Sequence, residues 1–241
     1  MRRLLMCLVA GVAVLAMAAP GLAVTKVLKQ GVDSYTGCSD TYIDVDSPTA
    51  NFGGLWYMHM YMRSDDPERS LLLRFNLTGQ IPSGSIIQSA TLSVWLYQLV
   101  DFSSSDWVQA GPYRVRETRN WVETQATWNQ FNSSYYWATP GCESTSSDRY
   151  GTPDSYLYFY NTTPVNAYYH WDVTASVQAW MAGAANQGWL LRAIAHDGGN
   201  DGLSFNAKES AEAYRPYLTV VYDPPVPADE ETWGVIKALF K

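Results

Sequence analysis

Hydrophobic and polar residues alternate in short runs along most of this chain, and glycine, proline, asparagine or aspartate closes nearly every run. A period of two sends successive side chains to opposite faces, so each run predicts a half-buried β-strand. TKVLKQG (25–31) is the first, followed by DTYIDV (40–45), which ends at the turn-like SPTANFGG (47–54). LWYMHMYMRS (55–64) and RSLLLRFNL (69–77) come next, and the turn GQIPSGS (79–85) leads into IIQSATLSVWLYQ (86–98). GPYRVRETR (111–119), YLYFYNTT (156–163), GWLLRAIAH (188–196), GLSFNAKES (202–210) and RPYLTVVYD (215–223) complete the series. Roughly eight to ten strands at this spacing predict an all-β chain, an antiparallel β-sandwich of jelly-roll type.

One stretch breaks the period. In WDVTASVQAWMAGAANQG (171–188), Val173, Val177, Trp180 and Met181 recur at helical spacing, Asp172 is placed to cap the start, and Gly183 is a plausible stop. A single short helix is therefore expected, closing one end of the sandwich. Beyond it, residues 223–229 are rich in proline and predict a stiff spacer. Residues 230–241 form a second amphipathic run, with Glu230 and Glu231 ahead of Trp233, Ile236, Leu239 and Phe240. About ten residues are too few for an isolated helix. This tail is read either as frayed or as docking on its own domain, on a second copy or on export machinery.

The ends and the charge narrow the setting. Residues 1–23 open with Arg2 and Arg3, continue with an apolar run and finish on small residues at Gly21 and Ala23, the order of a secretory signal peptide. The run is short for a bilayer span, so the processed chain is expected to be secreted, extracellular or attached at the cell surface, with no integral membrane span. Removing Arg2 and Arg3 takes Lys+Arg from 16 to 14 against 23 Asp+Glu, a net charge of −9. Such a chain repels phosphate backbones, which excludes nucleic acid as a partner. Residues 24–222 show no internal linker and read as one domain. Two cysteines remain after processing, Cys38 and Cys142, and in an oxidising compartment a disulfide between them is expected, with two free buried thiols as the alternative.

Candidate chemistry is sparse. Met58-His59-Met60 resembles a soft-metal site, yet as a strand it sends His59 to one face and both methionines to the other, which opposes copper and favours Met58, Met60 and Met62 as core. The chain has three histidines, His59, His170 and His196, and carries no nucleophile elbow, zinc helix or phosphate loop. No cofactor is required on this reading, and catalysis is not expected. A pair of carboxylates, all that a polysaccharide-degrading enzyme needs, is not identifiable from sequence. HDGGNDG (196–202) places Asp197, Asn200 and Asp201 on a glycine-rich loop, a candidate structural calcium site, and Asp40, Asp44 and Asp46 form a second oxygen-rich group. Aromatic residues are the main surplus, with 17 Tyr and 10 Trp. Trp107 in SSSDWVQ and Tyr135, Tyr136 and Trp137 in NSSYYWATPG lie in polar, turn-like sequence, where exposed rings would stack on the C–H faces of sugars. The alternative is that these loops fold back and bury their rings.

DTYIDVDSPTANFGG (40–54), RSLLLRFNL (69–77), IPSGSIIQSATLSVWLY (81–97), WVETQATWN (121–129), WDVTASVQAWMAGAANQGWLL (171–191) and FNAKESAEAYRPYLTVVY (205–222) follow one another in an order that resembles the DNRLRE domain, a surface module also treated as carbohydrate-binding module family ninety-six. The resemblance covers nearly all of 24–222. It implies a jelly-roll sandwich in a secreted or surface protein that binds a polysaccharide, and it makes Trp121, Trp128, Trp171 and Trp180 structural. Alginate, a polyanion, is among the ligands it suggests, and the net charge of −9 opposes that ligand unless calcium mediates. The sequence thus points first to a non-catalytic polysaccharide-binding module of the cell surface or extracellular matrix. A structural subunit of a surface layer or filament, self-associating by strand addition or through its tail, is the second reading, and a polysaccharide-degrading enzyme the third.

Overall fold

The structure, a computed structural model, describes residues 22–225 apart from 64–65 and 198. The expected signal peptide, most of the spacer and the C-terminal tail lie outside the described residues. Among those described are thirteen strands: β1 (Val24–Lys29), β2 (Cys38–Asp44), β3 (Tyr57–Arg63), β4 (Asp66–Phe75), β5 (Ile86–Val100), β6 (Trp107–Arg114), β7 (Gln130–Asn132), β8 (Tyr135–Tyr136), β9 (Leu157–Tyr160), β10 (Ala167–Asp172), β11 (Trp189–His196), β12 (Asn200–Asn206) and β13 (Tyr217–Asp223). Helix α1 (Thr174–Met181) stands between β10 and β11. The expected all-β fold is therefore observed, with one helix where the change of period places it. The N-cap of that helix is Val173 rather than the expected Asp172 and makes no side-chain cap; Asp172, one residue earlier, accepts hydrogen bonds at Oδ1 from the Thr174 amide, 2.9 Å, and hydroxyl, 2.6 Å.

Eleven of the strands form one curled antiparallel sheet in the order β1-β13-β5-β12-β3-β4-β11-β6-β9, with β10 on the other side of β5 and β2 on the other side of β4. Two long strands turn the corners. The first half of β5 pairs with β13 and its last residues pair with β12, with a register shift at Ser204/Phe205. Likewise β4 gives its first residues to β3 and Leu71–Leu73 to β11. A sheet whose longest strands are each shared by two neighbours folds back on itself and encloses its own apolar face.

That enclosed face is the main core. Met58, Met60 and Met62 lie within it at 1–3 % exposure beside Leu71, Leu73, Phe205, Trp171 and Trp189. The intervening His59 points the other way, against the rings of Tyr57 and Tyr42, and its Nδ1 sits 2.7 Å from Ser204 Oγ. The Met-His-Met triplet is packing, as the pleat requires. Trp171 and Trp121 are fully buried and Trp180 nearly so, and Trp128 packs against the second core.

The second core explains the unbroken apolar runs LLL (71–73) and WLL (189–191). Leu72 and Leu190 alternate away from the main core and meet Ile43, Val115, Trp121, Ala126, Phe131 and Trp137 beneath the long excursion between β6 and β9. These strands are buried on both faces. The covering layer is pinned by Asp148, which is fully buried and takes hydrogen bonds from Arg119 Nε at 2.7 Å, the Ala138 and Thr139 amides at 2.9 Å, and the Ser144 amide at 3.3 Å. Gly141 serves it too: its φ of +82° suits glycine, and a Cβ there would stand 2.6 Å from the Trp128 ring.

One expectation is corrected here. Cys38 and Cys142 are both free thiols. Cys38 lies in the main core and Cys142 in the second one, on opposite sides of the sheet, so a disulfide does not join them. Each behaves as a small buried hydrophobe, and burial pushes both thiols well above the ordinary cysteine range.

Candidate functional site

The sheet path ends at β9, which pairs with β6 so that Trp107 faces Tyr160, Val108 faces Phe159, Gln109 faces Tyr158 and Ala110 faces Leu157. Alternation divides these residues. Val108, Ala110 and Phe159 go into the core, whereas Tyr158 and Tyr160, with Tyr156 just before the strand, project outward at 47–55 % exposure. Their rings form a row. Centroids of Tyr156 and Tyr158 are 5.9 Å apart, those of Tyr158 and Tyr160 are 6.3 Å apart and nearly parallel at 21°, and the half-buried Trp107 closes on Tyr158 at 5.6 Å. Five residues of extended chain make this row about 13 Å long. Among the described residues, none of the three tyrosine hydroxyls has a hydrogen-bond partner, so each offers an apolar ring and a free polar tip to solvent. The signal was present in YLYFY, where tyrosine recurs at every second position, but the run alone does not say which of its faces is the solvent face.

The four rings singled out from sequence separate. Trp107 lies in β6 rather than in a loop and contributes to the row on β9. Tyr135 and Tyr136 form β8 of a small hairpin with β7, exposed at 62 % and 67 %, and Tyr135 stacks on Phe131 at 5.8 Å. Trp137 does not share that exposure. It is 3 % exposed in the second core, with its indole N–H bonded to the Thr127 carbonyl at 3.0 Å, because the polar loop folds back and needs a large apolar anchor. Trp137 is thereby removed from any surface platform.

The oxygen-rich groups also separate. Asp44 and Asp46 are engaged by Arg69 at 2.9 and 3.4 Å, and Asp40 accepts the Lys208 amide at 2.8 Å. In the 196–202 loop, Asp197 and Asp201 come together with His196, with ligand-type atoms all within 4.8 Å of one another. Asp106, just before β6, is not in that group but acts on the Asp201 charge from beside it; it was absent from the sequence-based set because it lies some ninety residues away. Asn200 opens β12 opposite Arg63, is exposed, and by the pleat points to the other face from the buried Asp201. Burial and the neighbouring Asp106 and Asp197 carboxylates push the Asp201 carboxyl up to about 7.

A family model described as carbohydrate-binding module family 96 matches residues 32–222. The chain belongs to that family. The match spans β2 to β13, and so takes in every strand of the curled sheet except β1, together with the β9 row and the Asp148-pinned layer. Members of carbohydrate-binding module families are generally non-catalytic binding domains. Among curated proteins none matches the chain. In the described residues no helix is long and apolar enough to cross a membrane.

Proposed function

We propose that this family 96 module binds an uncharged polysaccharide outside the cell, without catalysis, along the row formed by Trp107, Tyr156, Tyr158 and Tyr160. The observation that carries the reading is the run of three exposed tyrosine rings on the outward face of an edge strand, where the partner approaches without displacing any part of the fold. Pyranose rings carry axial C–H faces that are apolar and hydroxyls that are polar. A row of rings with free hydroxyl tips matches both. A row about 13 Å long suits a short stretch of chain rather than one sugar. The acidic balance of the protein disfavours a polyanionic chain. Tyr135 and Tyr136 form a separate exposed pair, placed on the accessory layer.

Affinity electrophoresis of the purified protein in gels containing neutral or acidic polysaccharides tests this reading. Retarded migration in at least one neutral gel is expected. Unchanged migration in every gel would overturn it, and retardation by acidic glycans alone would overturn the charge argument. Reducing ends released during the incubations would overturn the non-catalytic assignment.

A further inference from the structure

The ends of three strands bring acidic side chains to one point beside Trp107. His196 closes β11 and pairs with Val108 of β6, which sets Asp106 next to that end. β12 begins at Asn200 and carries Asp201 as its second residue. His196 Nδ1 is 3.8 Å from Asp201 Oδ2. Asp106 holds the Ser103 amide, and Asp197 Oδ1 accepts the Gly199 amide at 3.2 Å. Asp201 differs from both. Its side chain is fully buried, and neither carboxylate oxygen receives a hydrogen bond from any described residue. Its nearest polar neighbours include the other two carboxylates.

A buried carboxylate without donors and beside two others costs several kcal/mol unless it takes up a proton or a cation enters. The protein's other acidic triplet shows the alternative. Asp40, Glu123 and Glu209 are joined by Lys208, whose Nζ lies 2.9 Å from Glu123 and 2.5 Å from Glu209 and whose amide bonds Asp40. Among the described residues, no lysine or arginine reaches Asp106, Asp197 or Asp201. Gly199 also lies directly against two of them. A Cβ on Gly199 would stand 2.9 Å from Asp201 Oδ2 and 3.3 Å from Asp197 Oδ1.

We propose that Asp197 and Asp201, with the His196 imidazole within the same 4.8 Å group and the Asp106 carboxylate beside it, form a site for a hard divalent cation, calcium first. Carboxylate oxygens on a glycine-containing loop are the donors calcium takes, and its irregular coordination tolerates such a loop. The cation would tie the start of β6, the end of β11 and the start of β12 together at the end of the aromatic row. This assignment does not depend on the sugar reading.

The test uses the full chain, stripped with chelator and dialysed, then titrated calorimetrically with calcium chloride and, separately, manganese chloride. Thermal unfolding is followed with and without each cation. Calcium is expected to bind at one site and to raise the melting temperature by several degrees at saturation. Asp201→Asn should weaken calcium binding by about tenfold or more and abolish the shift. Without cation, that variant should melt no lower than wild type, since it removes a buried charge. If Asp201→Asn does not fold, Asp197→Asn at the exposed loop position serves instead. Glu209→Gln, at the triplet joined by Lys208, should keep the full response. No heat and no melting shift with either cation would overturn the site. So would a response retained in both Asp201→Asn and Asp197→Asn, or one lost in Glu209→Gln. A response to manganese alone would overturn the assignment to calcium.

Discussion

Tyr158 is the centre of the aromatic row, touching Tyr156, Tyr160 and Trp107, and replacing it with alanine removes the ring that all the others flank. An aromatic side chain offers roughly 200 Å², and Tyr158 is 47 % exposed, so about 90 Å² of it faces solvent. A sugar covering one face hides about half of that area, and one lying over face and edge hides nearly all. At about 25 cal/mol per Å² this is about 1–2 kcal/mol, or about five- to thirtyfold in Kd. Titration calorimetry with the glycan selected by electrophoresis should show that loss for Tyr158→Ala. Tyr158→Phe keeps the ring and removes only the hydroxyl tip offered to the sugar, and should cost less than Tyr158→Ala, at most about 1.5 kcal/mol, the worth of one hydrogen bond. The far-ultraviolet circular dichroism of both variants should match wild type. A Tyr158→Ala chain that is folded and binds within twofold of wild type would refute the stacking argument.

Two further outcomes concern the fold that presents the row. Asp148→Ala should cost about 3–5 kcal/mol in urea unfolding, because it strands the Arg119 charge and three amide donors in a buried layer; a loss under 1 kcal/mol would show that the layer is held by its apolar contacts alone. Cys38 and Cys142 should fail to react with a thiol reagent in the native protein and react together on unfolding, with stability unchanged by reductant. A native chain that yields two thiols only after reduction would restore the disulfide.

The strand pattern was largely legible because a half-buried strand must alternate, and β3, β5 and β13 do so plainly. Where alternation failed, the cause is physical. Leu71–Leu73 are buried on both sides, which the letters LLL state, but the identity of the second cover was hidden in a loop-like stretch. AYYHWD of β10 was obscured by the helix signal that begins at once after it. Among the site residues, local composition misled in both directions. Polar neighbours suggested that Trp137 was exposed, yet a long loop needs its own anchor, and the indole supplies it. Polar neighbours likewise suggested a loop at Trp107, which is a strand residue. Asp106 and Asp201 meet only through the pairing of β6 with β11, a contact distant in sequence that no spacing rule reports.

The most direct test sets two proteins side by side in the same polysaccharide gel: wild type and a chain with Tyr156, Tyr158 and Tyr160 all changed to alanine. The three rings are outward and unbonded, so the variant should fold and melt within a few degrees of wild type. Wild type should be retarded and the triple variant should migrate as it does without glycan, while a Tyr135→Ala, Tyr136→Ala chain remains retarded. A triple variant held back as strongly as wild type would contradict it and move the binding surface away from the edge strand.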